Sequence, residues 1–257
     1  MSTIHSTAII GCDVTIGDNV TIGPYVVIDD HVRIGNGCVL ESHVTIHSFV
    51  EMGQDNHIFS HADLGGLPQD IHFDTTTESW VKIGDRNTVR EYSTIHRATD
   101  PSRNTIVGND NYFMGYVHIA HDCKLANNII IANFTPLAGF VEVEDRAFIS
   151  GGASVHQFCR IGTMSIVAGG AVVNQDVLPY SLVQGNPAKL FGLNIVGMRR
   201  NDVSSETRLA LKKVLEYITK RESLENTLHI ITQEFAHIPE ALHIAEFIRL
   251  SKRSFVD

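Results

Sequence analysis

The 257-residue chain has no apolar run of the roughly 20 residues that a membrane-spanning helix needs. Its start, MSTIHSTAIIGCDVTIG, lacks the basic opening and unbroken apolar segment of a signal peptide. Integral membrane contact and secretion are therefore not expected, and a cytoplasmic protein is. The four cysteines, Cys12, Cys38, Cys123 and Cys159, include no C-x-x-C pair, which argues against a zinc ribbon or a disulfide framework. Basic residues are also in deficit: 20 Lys and Arg against 29 Asp and Glu give a net charge of −9, unfavourable for nucleic acid. That deficit is uneven. Residues 189–257 carry 11 basic against 9 acidic side chains, a mildly basic quarter suited to an acidic partner.

What the chain has instead is a beat of six. From Ile4 to about Leu64 an aliphatic residue opens each hexad, as in IGCDVT, IGDNVT and IGPYVV, and glycine often follows. The frame resumes at IGDRNT (83–88) and then runs unbroken through twelve hexads from Val107. A period of six fits neither an α-helix nor an alternating strand. It fits a parallel β-helix, each hexad giving a short strand and a corner, with three hexads per coil. The first position of each hexad should point inward, and Gly, Asn and Asp should fill left-handed corners. The flat faces of such a prism call for cover by further copies of the chain.

The β-helix is expected over residues 1–190. An inserted loop at about 66–81 and a smaller bulge at about 100–104 break the beat. Loops leaving a rigid solenoid commonly serve binding. Residues 191–257 form a C-terminal helical domain. In it Leu209, Leu211, Val214, Leu215 and Ile218 make an apolar stripe behind capping serines, and Pro239 suits a first helical turn. These stripes should pack the helices on one another.

Chemistry concentrates in YVHIAHDCKL, residues 116–125. His121 and His118 fall off the inward column, near one corner and outside the core. Stacking by eighteen places Gly139 and Gln157 in the column of His121, with His156 beside Gln157. A histidine there can serve as general base near neutral pH. Asp122 can orient its ring, and backbone N–H groups around glycine can stabilise an oxyanion. Zinc held by imidazoles is the competing chemistry, although no local ligand spacing demands a metal.

These segments, with PQD in the loop, IGDRNTVREYSTIHR, HIAHDC, VHQFC, QGNPA and FGLNIVGMRR, resemble the UDP-N-acetylglucosamine O-acyltransferases, the first enzymes of lipid A biosynthesis. The resemblance spans essentially the whole chain. It implies a left-handed parallel β-helix, a homotrimer with sites between subunits, and no cofactor. It also implies transfer of an (R)-3-hydroxyacyl chain from acyl carrier protein to the 3-position of a UDP-sugar. By this resemblance His121 is the general base, Asp122 its orienting partner and Gly139 the oxyanion donor. Gln69, Asp70, His118, His156 and Gln157 contact substrate, Asn194 and Arg200 hold the acyl-pantetheine and nucleotide parts, and Gly169 lies at the hydrocarbon ruler. A glycine there leaves the groove open to a longer chain.

Three positions depart from the family pattern. His72 replaces a lysine in the loop, Phe140 replaces a histidine that touches the sugar, and Val196 replaces a glutamate near the nucleotide. They raise an alternative acceptor, a UDP-sugar with an amine at the 3-position, whose product is an amide. A zinc-dependent hydratase and a non-catalytic binding solenoid are the alternatives from other classes.

Overall fold

In the computed structural model, which describes residues 1–220 and 223–257, successive short strands are dealt in turn to three sheets. Among the described residues the sheets contain eleven, nine and eight strands. Every pairing between coils is parallel, and residues one coil apart are in register, as Thr21 is with Val39 and Ile46 with Ile28. The result is a left-handed parallel β-helix, against the usual right-handed preference for parallel crossovers. Inward first-position residues such as Ile22, Leu40, Ile58, Val89, Phe113 and Ile131 are fully buried in one column. Each contributes roughly 1.5–3 kcal/mol relative to exposure.

An ordinary coil takes 18 residues. The coil that carries the inserted loop takes 31, and the next takes 24. The ladder nevertheless passes straight through both, since His57 pairs with Thr88 and Thr88 with Tyr112. Buried Asn56, Asn87 and Asn111 span these two coils in place of aliphatic residues. Asn56 Oδ1 accepts from the Asn87 backbone N–H at 2.8 Å, Asn87 Oδ1 from that of Asn111 at 3.0 Å, and Asn111 Oδ1 from that of Ile129 at 2.8 Å. Buried amides are tolerable because each is paired.

Asn19, Asp55, Asp110, Asn128 and Gly37 take left-handed corners as expected, but they are not alone. Left-handed φ is adopted by large residues, including Tyr25, His43, His61, Tyr92, Tyr116, Phe134, Phe140 and Phe158. A left-handed residue with a side chain costs about 1–2 kcal/mol. Here the rings stack coil upon coil, at centroid spacings of 5.0 Å for Tyr25 on His43 and 4.8 Å for His61 on Tyr92 and for Tyr116 on Phe134. Each such stack returns about 0.5–1.5 kcal/mol. Glycine at the second hexad position answers a different need, the close approach of the next coil: a Cβ on Gly35 would lie 2.5 Å from the carbonyl of Gly53.

Among the described residues four helices follow: α1 (Ile195–Arg200), α2 (Ser205–Thr219), α3 (Leu224–Glu234) and α4 (Pro239–Leu250). Ser204 and Ser223 cap α2 and α3, and Pro239 opens α4. The stripe of α2 is narrower than its sequence suggested. Leu211, Val214, Leu215 and Ile218 are buried, whereas Leu209 is 64% exposed. These helices pack on one another and also on Met164, Leu178 and Tyr180 of the last coils. The chain then returns to the prism: Ser251 donates to Asp176 at 2.7 Å and Val256 joins the β-helix core. Among the described residues no helix is long and apolar enough to cross a membrane.

Candidate active site

His121 follows the strand His118–Ile119, at the corner where the chain leaves the second sheet. It lies outside the aliphatic column, as its hexad position requires, yet it is not a surface residue. His121 is only 8% exposed and Asp122 4%. Asp122 takes a left-handed φ of 61°, and its carboxylate accepts from His121 Nδ1 at 2.9 Å. The same carboxylate oxygen accepts from Thr99 twice, from Oγ1 at 2.7 Å and from the backbone N–H at 3.1 Å. Thr105 Oγ1 in turn accepts the Asp122 backbone N–H at 2.9 Å. Burial raises the Asp122 pKa, but the hydrogen bonds from His121 and Thr99 outweigh it and hold the carboxyl below its ordinary value. With Nδ1–H committed to an ionised carboxylate, Nε2 is left as the acceptor.

Gly139 sits one coil above. A Cβ there would lie 2.4 Å from His121 Cε1 and 2.7 Å from Nε2, so the imidazole occupies the space that any side chain would need. A cavity of about 460 Å³ opens on this ring and is lined by Gln69, His118, His121, Gly139, His156 and Gln157. Six candidates separated by up to 88 positions in sequence are thus brought together. His118 bonds Thr94 Oγ1 at 2.7 Å, and burial followed by the neighbouring His121 lowers its pKa. His156 Nδ1 meets the Gln157 carbonyl at 3.1 Å, and Arg253 Nη1 donates to the same oxygen at 2.6 Å.

Other candidates lie apart from this cavity. Phe140 lines a groove of about 1050 Å³ on the opposite flank of the dyad, with Arg103, Asp122 and Phe158. Its ring stacks on Phe158 at 4.8 Å and meets His121 edge-on at 5.3 Å. Asp70 and His72 are exposed on the loop, where Asp70 Oδ1 accepts the His72 backbone N–H at 2.9 Å. Asn194 is buried as the N-cap of α1. Its Oδ1 accepts from Gly197 at 2.8 Å and its Nδ2 donates to the Met164 carbonyl at 2.7 Å. Arg200 is exposed in the last turn of the same short helix. Gly169 lies at the next corner of the prism, where a Cβ would touch only the Gly151 carbonyl, at 3.4 Å.

Three participants escaped the sequence reading. Thr99 directly precedes the bulge, and nothing in its pattern marks it as a carboxylate donor. Arg97 is 5% exposed and lies beneath the inserted loop. His96, 8% exposed, stands edge-on to His118 at 4.8 Å, with Nδ1 unpartnered. Burial, then the charge of His118, lowers its pKa to about 4. Among the described residues, no cluster of three or more His, Cys, Asp or Glu side chains has the arrangement to hold a metal.

Comparison with known proteins agrees with the fold. The profile of the bacterial hexapeptide-repeat transferases matches residues 13–48. That of the second domain of UDP-N-acetylglucosamine O-acyltransferase matches residues 176–256. An acyl-[acyl-carrier-protein]–UDP-N-acetylglucosamine O-acyltransferase of Thermodesulfovibrio yellowstonii is 45% identical over 98% of both chains. The chain belongs to the UDP-N-acetylglucosamine O-acyltransferase family. A second member, from Aliarcobacter butzleri, is 43% identical over 92% of this chain and 94% of its own. Among solved structures, the family member of Acinetobacter baumannii superposes with a TM-score of 0.96 at 37% identity, covering 99% of both chains. The enzyme of Francisella novicida gives 0.96 at 35% identity, over 99% of this chain and 94% of its own. The protein is accordingly an acyltransferase.

Proposed function

We propose that the protein transfers an (R)-3-hydroxyacyl chain from acyl carrier protein to the 3-hydroxyl of UDP-N-acetylglucosamine, the first step of lipid A synthesis. The observation that carries the mechanism is the enclosed His121–Asp122 pair, whose imidazole faces a cavity also lined by Gln69. His121 Nε2 takes the proton from the sugar hydroxyl as its oxygen attacks the thioester carbonyl. Asp122 stabilises the imidazolium that forms. The Gly139 backbone N–H, which donates to no group among the described residues, is available to the developing oxyanion. Collapse of that intermediate breaks the C–S bond, and the imidazolium returns its proton to the departing thiolate. Transfer is direct, with no acyl-enzyme.

His118, His156 and Gln157 line the sugar side. Asp70, His72, Asn194 and Arg200 lie outside the cavity of a single chain, as expected if a neighbouring copy completes the site. A homotrimer is consistent with the exposed corner rings, since Tyr25, Tyr116 and Phe134 are each at least half exposed. The open surroundings of Gly169 favour a long acyl chain. The C-terminal basic residues give an acidic carrier protein a docking partner, and the setting is cytoplasmic. The two β-helix and helical units, 1–190 and 191–257, then divide the work of chemistry from that of carrier recognition.

The test is acyl transfer from (R)-3-hydroxymyristoyl carrier protein to UDP-N-acetylglucosamine, comparing wild type with His121→Ala. Loss of general-base help should lower turnover about 10²–10⁴-fold while the fold persists. Full turnover by the variant sinks the mechanism, and no transfer by wild type sinks the function. Offering the 3-amino sugar alongside distinguishes ester from amide formation.

A further inference from the structure

The segment Arg97–Ala98–Thr99 touches both the inserted loop and the dyad. At one end, the Arg97 backbone N–H donates to the Gly66 carbonyl at 3.0 Å, where the loop departs. At its middle, Ser79 Oγ donates to the Ala98 carbonyl, where the loop returns. At the other end, Thr99 gives both of its donors to the Asp122 carboxylate.

Arg97 itself is unusual. Its guanidinium is buried with Nε and Nη1 unpartnered, and among the described residues no carboxylate lies within salt-bridge distance of it. A buried cation without a counter-charge is expensive. What it has instead are two aromatic faces, Phe49 of the prism at 5.1 Å and Phe73 of the loop at 5.5 Å. Nη2 also reaches toward the loop carbonyl of Thr75, at 3.5 Å. The cation thus sits between a rigid wall and the span that begins four residues after Gln69, the loop residue that lines the cavity.

We infer that Arg97 is a positioning residue: by clasping Phe73 against Phe49 it holds the inserted loop in the place that keeps Gln69 on the wall of the cavity that His121 lines. Arg97 is not among the residues that line the cavity, and its effect is exerted through the loop. The inference rests on the proposed function for the identity of the substrate and on the contacts alone for the clasp. Because the loop side of the cavity faces the sugar nucleotide, loss of the clasp should weaken acceptor binding and spare the acyl donor.

The experiment is a double-mutant cycle of Arg97→Met and Gln69→Ala, with Phe73→Ala as a loop-side variant that leaves the buried segment intact. Loss of the cation–π clamp should raise the KM for UDP-N-acetylglucosamine about tenfold. The donor KM and the acid limb of the pH profile should hold. Adding Gln69→Ala to Arg97→Met should cost little more than either alone, because both act through one contact. Arg97→Lys should fall between wild type and Arg97→Met, since an ammonium lies less well between two rings. Multiplying effects, or an equal rise in both KM values, would overturn the inference. Backbone hydrogen exchange across residues 66–80 gives a readout that needs no turnover. Faster exchange in Arg97→Met and Phe73→Ala supports the clasp, and unchanged exchange refutes it. A wild type that transfers nothing would defeat the proposed function while this exchange measurement still decides the clasp.

Discussion

Gly139 and His121 share one volume: the imidazole of His121 fills the place where residue 139 would carry a β-carbon, 2.4 Å from Cε1. Gly139→Ala must therefore move the ring or the corner. A displacement of about 1 Å in a reacting group costs on the order of 10²-fold in rate. We expect a fall in kcat of that size, with a thermal midpoint close to wild type. Wild-type kcat would show that the ring has room to yield.

Asp122→Asn keeps the shape of the dyad and removes its charge. The amide oxygen can still accept from His121 and Thr99, but it cannot stabilise the imidazolium. The expected outcome is a drop in kcat of at least about 10²-fold with little change in the acceptor KM. Steady-state kinetics across a range of sugar concentrations separates the two parameters.

His96 makes stability depend on pH. Its pKa is about 4 in the folded protein against 6.5 when unperturbed. Between those values the unfolded chain binds the extra proton, so stability rises with pH and is lost as pH falls through that window. The full difference is worth about 3 kcal/mol. Thermal melts from pH 7 to pH 4 should show this loss, and His96→Gln should reduce it. Equal slopes for the two proteins would assign the loss to other groups.

Asn87→Ala breaks the buried amide ladder at its middle. The Asn111 backbone N–H loses its acceptor, and Asn56 Oδ1 loses the side-chain donor at 3.0 Å while keeping the backbone one. Each buried group left unpaired costs about 1–3 kcal/mol. Denaturant titration should register a destabilisation of at least that order, and a neutral result would mean that water replaces the amide.

The β-helix was legible because its cause is periodic: one inward aliphatic residue every six positions states both coil length and core. The stacking rule of eighteen likewise joined His121 to Gly139 and Gln157, since those coils carry no insertion. It could not extend downward past the bulge. There the coils lengthen, so Thr99 lies 23 positions from the carboxylate it holds. Arg97 was hidden for a different reason. A guanidinium in a polar corner motif looks solvated, and only the folded loop shows that two phenyl rings bury it. Leu209 misled in the opposite direction, being apolar at helical spacing yet turned outward. The large corner rings were missed because intrinsic preference names Gly and Asn for left-handed backbone, whereas stacking between coils is a property of the assembled prism.

The two long coils interrupt the outline of the prism without interrupting its ladder. Whatever hangs from a corner is invisible to the pairing on either side of it. If the loop contacts substrate as proposed, substitutions within residues 67–78 can reshape that contact without entering the ladder, and substitutions in the inward column do the reverse. On the proposed reading, the loop's share of specificity and the folding of the column are written in separate stretches of the same chain. Either can be rewritten, by selection or by design, while the other is left as it stands.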